Sequence, residues 1–131
     1  MKKLILSLLV AAFVGGNTLS AQTITKNEDG KYSLSVGHVT LTVDAQKGGK
    51  IVSYRYDDKE ILSQTKIPNS FGSTFWTSPQ SEWNWPPVPE YDTKPFNAEV
   101  AGDKLILTGE KSKRFGYRVR KELTTDKKDN A

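Results

Sequence analysis

Tyr32-Ser-Leu-Ser-Val-Gly-His-Val-Thr-Leu-Thr-Val43 carries the pattern that decides the fold. Tyr32, Leu34 and Val36 alternate with Ser33 and Ser35; Val39, Leu41 and Val43 alternate with Thr40 and Thr42. Apolar and β-branched residues at period two describe strands with one buried face. The apolar phase moves from even to odd positions across Gly37-His38. A two-residue turn opening on glycine explains that switch as a hairpin, with a β-bulge as the alternative.

The same rhythm continues outward. Asp44 to Gly49 is a turn signal, with two glycines available for positive φ. Ile51 to Tyr56 is the next strand, with Val52, Tyr54 and Tyr56 on one face and Ile51, Ser53 and Arg55 on the other. Asp57-Asp58-Lys59 turns into a short strand, Glu60 to Ser63. Ala98 to Val100, the turn Ala101-Gly102-Asp103-Lys104 and Leu105 to Thr108 predict a second hairpin. Phe115, Tyr117, Val119 and Leu123 share one face of a last strand, on which Lys121 is the exception; Gly116, Arg118, Arg120 and Glu122 lie on the other. No segment after the N-terminus carries a sustained helical period. The expected class is all-β, an antiparallel β-sandwich.

Length and composition fit one domain. The chain has 131 residues, 26% charged and 36% hydrophobic, with no cysteine. A disulfide framework, a thiolate nucleophile and a zinc ribbon are therefore excluded. The single histidine, His38, excludes a multi-histidine metal site. No phosphate-cradling glycine loop, serine elbow or metal-ligand spacing occurs, so neither metal nor cofactor is expected.

Met1-Lys2-Lys3 precedes the apolar run Leu4 to Val14, and Leu19-Ser20-Ala21-Gln22 offers a small residue for cleavage. This is the layout of a secretory signal peptide, expected as a helix over residues 1–21. The run is shorter than the roughly 20 residues a bilayer needs. Export to the periplasm or beyond is expected, with no membrane association after cleavage. Removing Lys2 and Lys3 leaves 17 basic against 15 acidic side chains. No electrostatic case for a nucleic-acid partner survives that.

Residues 68–96 break the strand rhythm. They hold all six prolines and all three tryptophans of the chain. Proline removes ladder donors, and a solvated chain has no use for so many aromatics, so an ordered loop packed by its own rings is expected. Chemically, this stretch suits a sugar. Apolar C–H faces of a pyranose lie against flat rings, while its hydroxyls want amides and carboxylates. Trp76, Trp83 and Trp85 are the candidate platform, with Gln80, Glu82 and Asn84 as hydrogen-bonding partners. The competing assignment makes the tryptophans core plugs whose N–H groups meet backbone carbonyls. Asp57, Asp58 and Glu60 read as a charged, solvated tip, and Lys111 to Arg114 with Arg118 and Arg120 as a basic, solvated face, with contact to an acidic glycan or to another domain as the alternative.

Val43-Asp-Ala-Gln-Lys-Gly-Gly-Lys-Ile-Val-Ser-Tyr54, Lys59-Glu-Ile-Leu62 and Phe71-Gly-Ser-Thr-Phe-Trp-Thr-Ser-Pro-Gln-Ser-Glu-Trp-Asn-Trp-Pro-Pro87 together resemble galactose-mutarotase-like proteins. The last of these resembles an uncharacterised secreted family of that superfamily. The resemblance spans roughly residues 31 to 125. It implies a β-supersandwich that binds carbohydrate in a cleft on one sheet. In the mutarotases the comparable stretch leads into an arginine that contacts sugar; Gly72-Ser-Thr-Phe-Trp76 has tryptophan there. The mutarotase acid and base, a histidine and a glutamate, come from later strands, and no residue here matches them. No catalytic residue is therefore expected. A supersandwich needs a much longer chain, so residues 22–131 are expected to be the N-terminal part of one. Three functions follow: a carbohydrate-binding piece, a piece of a carbohydrate epimerase or other sugar-active enzyme, or a structural β-domain docking on an envelope partner.

Overall fold

The alternation around Gly37-His38 closes as a hairpin in the computed structural model, which describes residues 22–67 and 71–126. Strand β2 (Tyr32–Val36) pairs antiparallel with β3 (Val39–Asp44), and Val36 faces Val39 across the two-residue turn. Gly37 takes φ +55° there, a conformation glycine adopts without a Cβ clash. Two neighbours, β1 (Thr23–Lys26) and β4 (Lys50–Tyr56), flank the hairpin. With the two-residue β5 (Lys59–Glu60), the sheet runs in the order β1-β2-β3-β4-β5. β1 escapes the sequence pattern because Ile24 is its only large apolar residue.

A second sheet holds β6 (Asn97–Ala101), β7 (Lys104–Thr108) and β8 (Arg120–Leu123). The fold is thus an all-β antiparallel sandwich. Its core joins Tyr32, Leu34, Val43 and Ala45 of the first sheet to Phe96, Leu105 and Leu107 of the second. Leu105 and Leu107 are wholly buried. Each contributes about 1.5–3 kcal/mol through the apolar area it removes from water. Backbone bonds stitch the layers: Phe96 N–H donates to the Ala45 carbonyl at 2.8 Å, and Gly48 N–H to that of Lys94 at 3.0 Å.

Three details depart from simple alternation. The register of β3 against β4 shifts at Thr42/Val43, where Ser53 faces Thr42 but Ile51 faces Val43. Val52 is the bulged residue, so Ile51 joins Tyr54 and Tyr56 on one face rather than opposing them. The strand expected over Glu60 to Ser63 ends at Glu60. Finally, only Arg120–Leu123 of the long last segment is strand. Before it the chain loops back on itself, with Ser112 N–H donating to the Tyr117 carbonyl at 2.7 Å and Gly116 at φ +74°.

The signal-peptide helix expected over residues 1–21 falls outside the described residues. No helix among those described is long and apolar enough to cross a membrane.

Candidate functional site

The proline- and tryptophan-rich segment contains no strand from Phe71 to Pro95. Its secondary structure is a 3₁₀ turn at Gln80–Glu82 and a single-turn helix, α1, at Pro89–Asp92. Proline suits the first position of α1, where its missing N–H would have no partner anyway. The Ser78–Pro79 and Trp85–Pro86 bonds are cis.

Hydrogen bonds brace this loop internally and tie it to the rest of the chain. Ser73 N–H donates to the Ile51 carbonyl, and Ile51 N–H to Ser73 Oγ, both at 2.9 Å. Gly72 makes that approach possible: a Cβ there would sit 2.8 Å from the Ile51 oxygen. Phe75 N–H donates to Asp92 Oδ1 at 3.1 Å. Arg114 donates to the Glu82 carbonyl at 2.8 Å and that of Trp83 at 3.3 Å. The basic run at 111–114 is thus partly structural, since Arg114 satisfies carbonyls at the end of the 3₁₀ turn.

Trp76 touches both other tryptophans, but the three have different environments. Trp83 is 5% exposed, packs with Val88 and Tyr91, and donates its indole N–H to the Thr77 carbonyl at 2.9 Å. Trp76 and Trp85 are 48% and 62% exposed. Their rings stand 5.7 Å apart at 88°, an edge-to-face pair, and Trp76 rests against Trp83 at 6.2 Å. Gln80 and Glu82 lie exposed on the 3₁₀ turn. Their side chains make no hydrogen bond with other described residues, and the same holds for the Asn84 amide. All six candidate residues therefore belong to one loop, with Trp83 inside and the others outside.

Beneath the loop lies a charged cluster that the sequence pattern does not reveal. Lys50 Nζ and Asp92 Oδ2 are 3.1 Å apart, with side chains only 7% and 3% exposed. Lys121 donates to the Gly48 and Gly49 carbonyls at 2.8 and 3.3 Å, its ammonium over the rings of Phe96 and Phe75. Burial pushes Lys121 below the ordinary lysine range, an effect opposed by the Asp92 charge and reinforced by Lys50. Only Lys121 had a signal in the sequence, as the one cation on an apolar face.

The charged tip is also more structured than expected. Glu60 accepts from Ser53 Oγ at 2.5 Å and from the N–H groups of Tyr54 and Leu62 at 3.0 and 2.9 Å. These donors, Ser53 foremost, hold its carboxyl below the usual glutamate range. His38 Nδ1 lies 2.6 Å from Asp57, and its ring stacks on Tyr56.

Another recess, of about 660 Å³, has Lys50, Val52 and Phe71 in its wall. Its charges are mixed and partly cancelled within the chain, Lys31 by Asp29 and Lys50 by Asp92. No group of three or more acidic or histidine side chains among the described residues is arranged to hold a metal. Comparison with known proteins finds no matching family model, no matching curated protein and no matching solved structure.

Proposed function

We propose that this chain is an exported carbohydrate-binding protein of the galactose-mutarotase-like type, and that Trp76 and Trp85 form its sugar platform. The observation that carries this reading is the pair of exposed indoles at right angles over a buried third. One ring offers a flat floor for the C–H face of a pyranose, and the other a wall beside it. Gln80 and Glu82 stand on the same turn with unpaired amide and carboxylate groups for sugar hydroxyls. Trp83 supports the platform from within. An exposed, contiguous aromatic surface is costly in water and marks an interaction site more often than a structural accident.

The test is calorimetric titration of a glycan panel against the wild type and three variants, with a melting curve for each. Trp76→Ala and Trp85→Ala are expected to weaken binding by about 1–3 kcal/mol, the scale of a lost aromatic contact, with the fold intact. Trp83→Ala is expected to lower the melting temperature first. Protein recovered from the envelope fraction is expected to begin at or near Gln22. If Trp76→Ala and Trp85→Ala bind every glycan like the wild type, the platform assignment is wrong.

A further inference from the structure

A second recess, of about 350 Å³, adjoins the tryptophan cluster. Phe75 and Thr77 in its wall bracket Trp76 in the chain; Thr77 accepts the Trp83 indole bond, and Tyr91 packs on Trp83. Its charged lining is entirely cationic: Arg118, Arg120 and Lys121. Arg120 is paired with Glu122. Arg118 makes no hydrogen bond or ion pair with any described residue. Lys121 is half-buried and bound to two carbonyls but to no described carboxylate; Asp92, whose charge it feels, is held by Lys50.

The aromatic lining says what kind of anion belongs there. Phe75 and Tyr117 contribute partly exposed aromatic rings, which suit the apolar faces of a ring rather than a bare inorganic ion. The volume is at the lower end of ligand pockets, roughly 300–1,000 Å³, which leaves room for one sugar residue and not for a chain.

We propose that this recess receives the carboxylate of a uronate, with Arg118 and Lys121 as its cationic partners and the neighbouring sugar on Trp76 and Trp85. This assignment rests on the carbohydrate reading above and narrows it to acidic glycans. A planar carboxylate matches the guanidinium fork of Arg118 in two parallel hydrogen bonds, while the Lys121 ammonium supplies a fixed point charge.

Calorimetry of the full chain with oligomers of galacturonate, glucuronate and mannuronate, each beside its methyl ester, tests this. The ester keeps ring and hydroxyls and removes only the charge. At least one acid is expected to bind about tenfold or more tighter than its ester, as charge-assisted hydrogen bonds would give. Arg118→Gln, at an exposed position, is expected to cut that preference several-fold without changing the melting curve. Lys121→Met is expected to abolish it, whereas Trp85→Ala weakens acid and ester alike. Equal affinity for acid and ester, or a preference untouched by Arg118→Gln, overturns the uronate assignment and leaves the sugar platform standing. Binding to none of these oligomers while neutral glycans bind does the same; binding to no glycan at all overturns both.

Discussion

Replacing Asp92 by alanine is expected to cost this protein about 3–5 kcal/mol, the magnitude of breaking a buried ion pair from one side. Asp92 has two oxygens and two duties. Oδ2 faces the Lys50 ammonium at 3.1 Å, and Oδ1 accepts from Phe75 N–H at the same distance. Both side chains of the pair are more than nine-tenths buried, so solvent screens their attraction little. Alanine leaves the Lys50 charge without a carboxylate and the Phe75 N–H without an acceptor. The loss is a large share of the 5–15 kcal/mol that holds most domains folded. Urea unfolding followed by tryptophan fluorescence reads it directly. With a slope of about 1–2 kcal/mol per molar urea, the midpoint falls by roughly 1.5–5 M. Asp92→Asn keeps an acceptor for Phe75 and loses the charge, so it separates the two duties. The double variant Lys50→Met/Asp92→Leu is expected to recover most of the loss, because an apolar pair removes both desolvation penalties. A cost below about 1 kcal/mol for Asp92→Ala, or additive single losses in the double variant, would refute the reasoning.

Other perturbations probe the turn and the charged tip. Gly48→Ala places a Cβ 1.9 Å from the Asp92 carbonyl oxygen at φ +69°, whereas Gly30 at φ +82° has nothing within 4 Å. Gly30→Ala is expected to cost only the left-handed conformation, about 1–2 kcal/mol, and Gly48→Ala at least about 2 kcal/mol more, a difference melting curves resolve; equal shifts would show that the contact yields freely. Glu60 has a folded-state pKa below its unfolded value. Its stabilising contribution is therefore full above the ordinary glutamate value of about 4.3 and is lost as pH falls through the lower folded value. Urea midpoints of wild type and Glu60→Gln are expected to converge on acidification below that value, and a gap independent of pH would contradict it.

Period-two patterning made the first hairpin legible, because strand register forces every second side chain toward the core and Gly37 permits the tight turn. The second hairpin was legible for the same reason, with Gly102 at φ +62° in its turn. Composition marked the proline- and tryptophan-rich loop, since proline cannot serve a central strand and aromatic rings need burial or a ligand. Proximity in the chain was enough to group Trp76, Gln80, Glu82, Trp83 and Trp85.

The division of labour among the tryptophans belongs to the tertiary structure. Trp83 and Trp85 would share a face in an extended chain. Asn84 at φ +55°, just past the 3₁₀ turn at Gln80–Glu82, rotates the backbone between them, so one indole turns inward and the other outward. The Val52 bulge likewise reverses the facing that alternation assigns within β4. The Lys50–Asp92 pair joins positions 42 residues apart. A charge is read as solvated until folding brings its partner, and only the packing of the loop on β4 does so. Lys121 obeys the same rule: its place on an apolar face is visible in the chain, but the Gly48 and Gly49 carbonyls that make burial tolerable come from the distant turn between β3 and β4. Local pattern is set by each residue's own backbone and neighbours. Burial of a polar group depends on hydrogen-bond partners distant in sequence, and these exist only once the chain has folded.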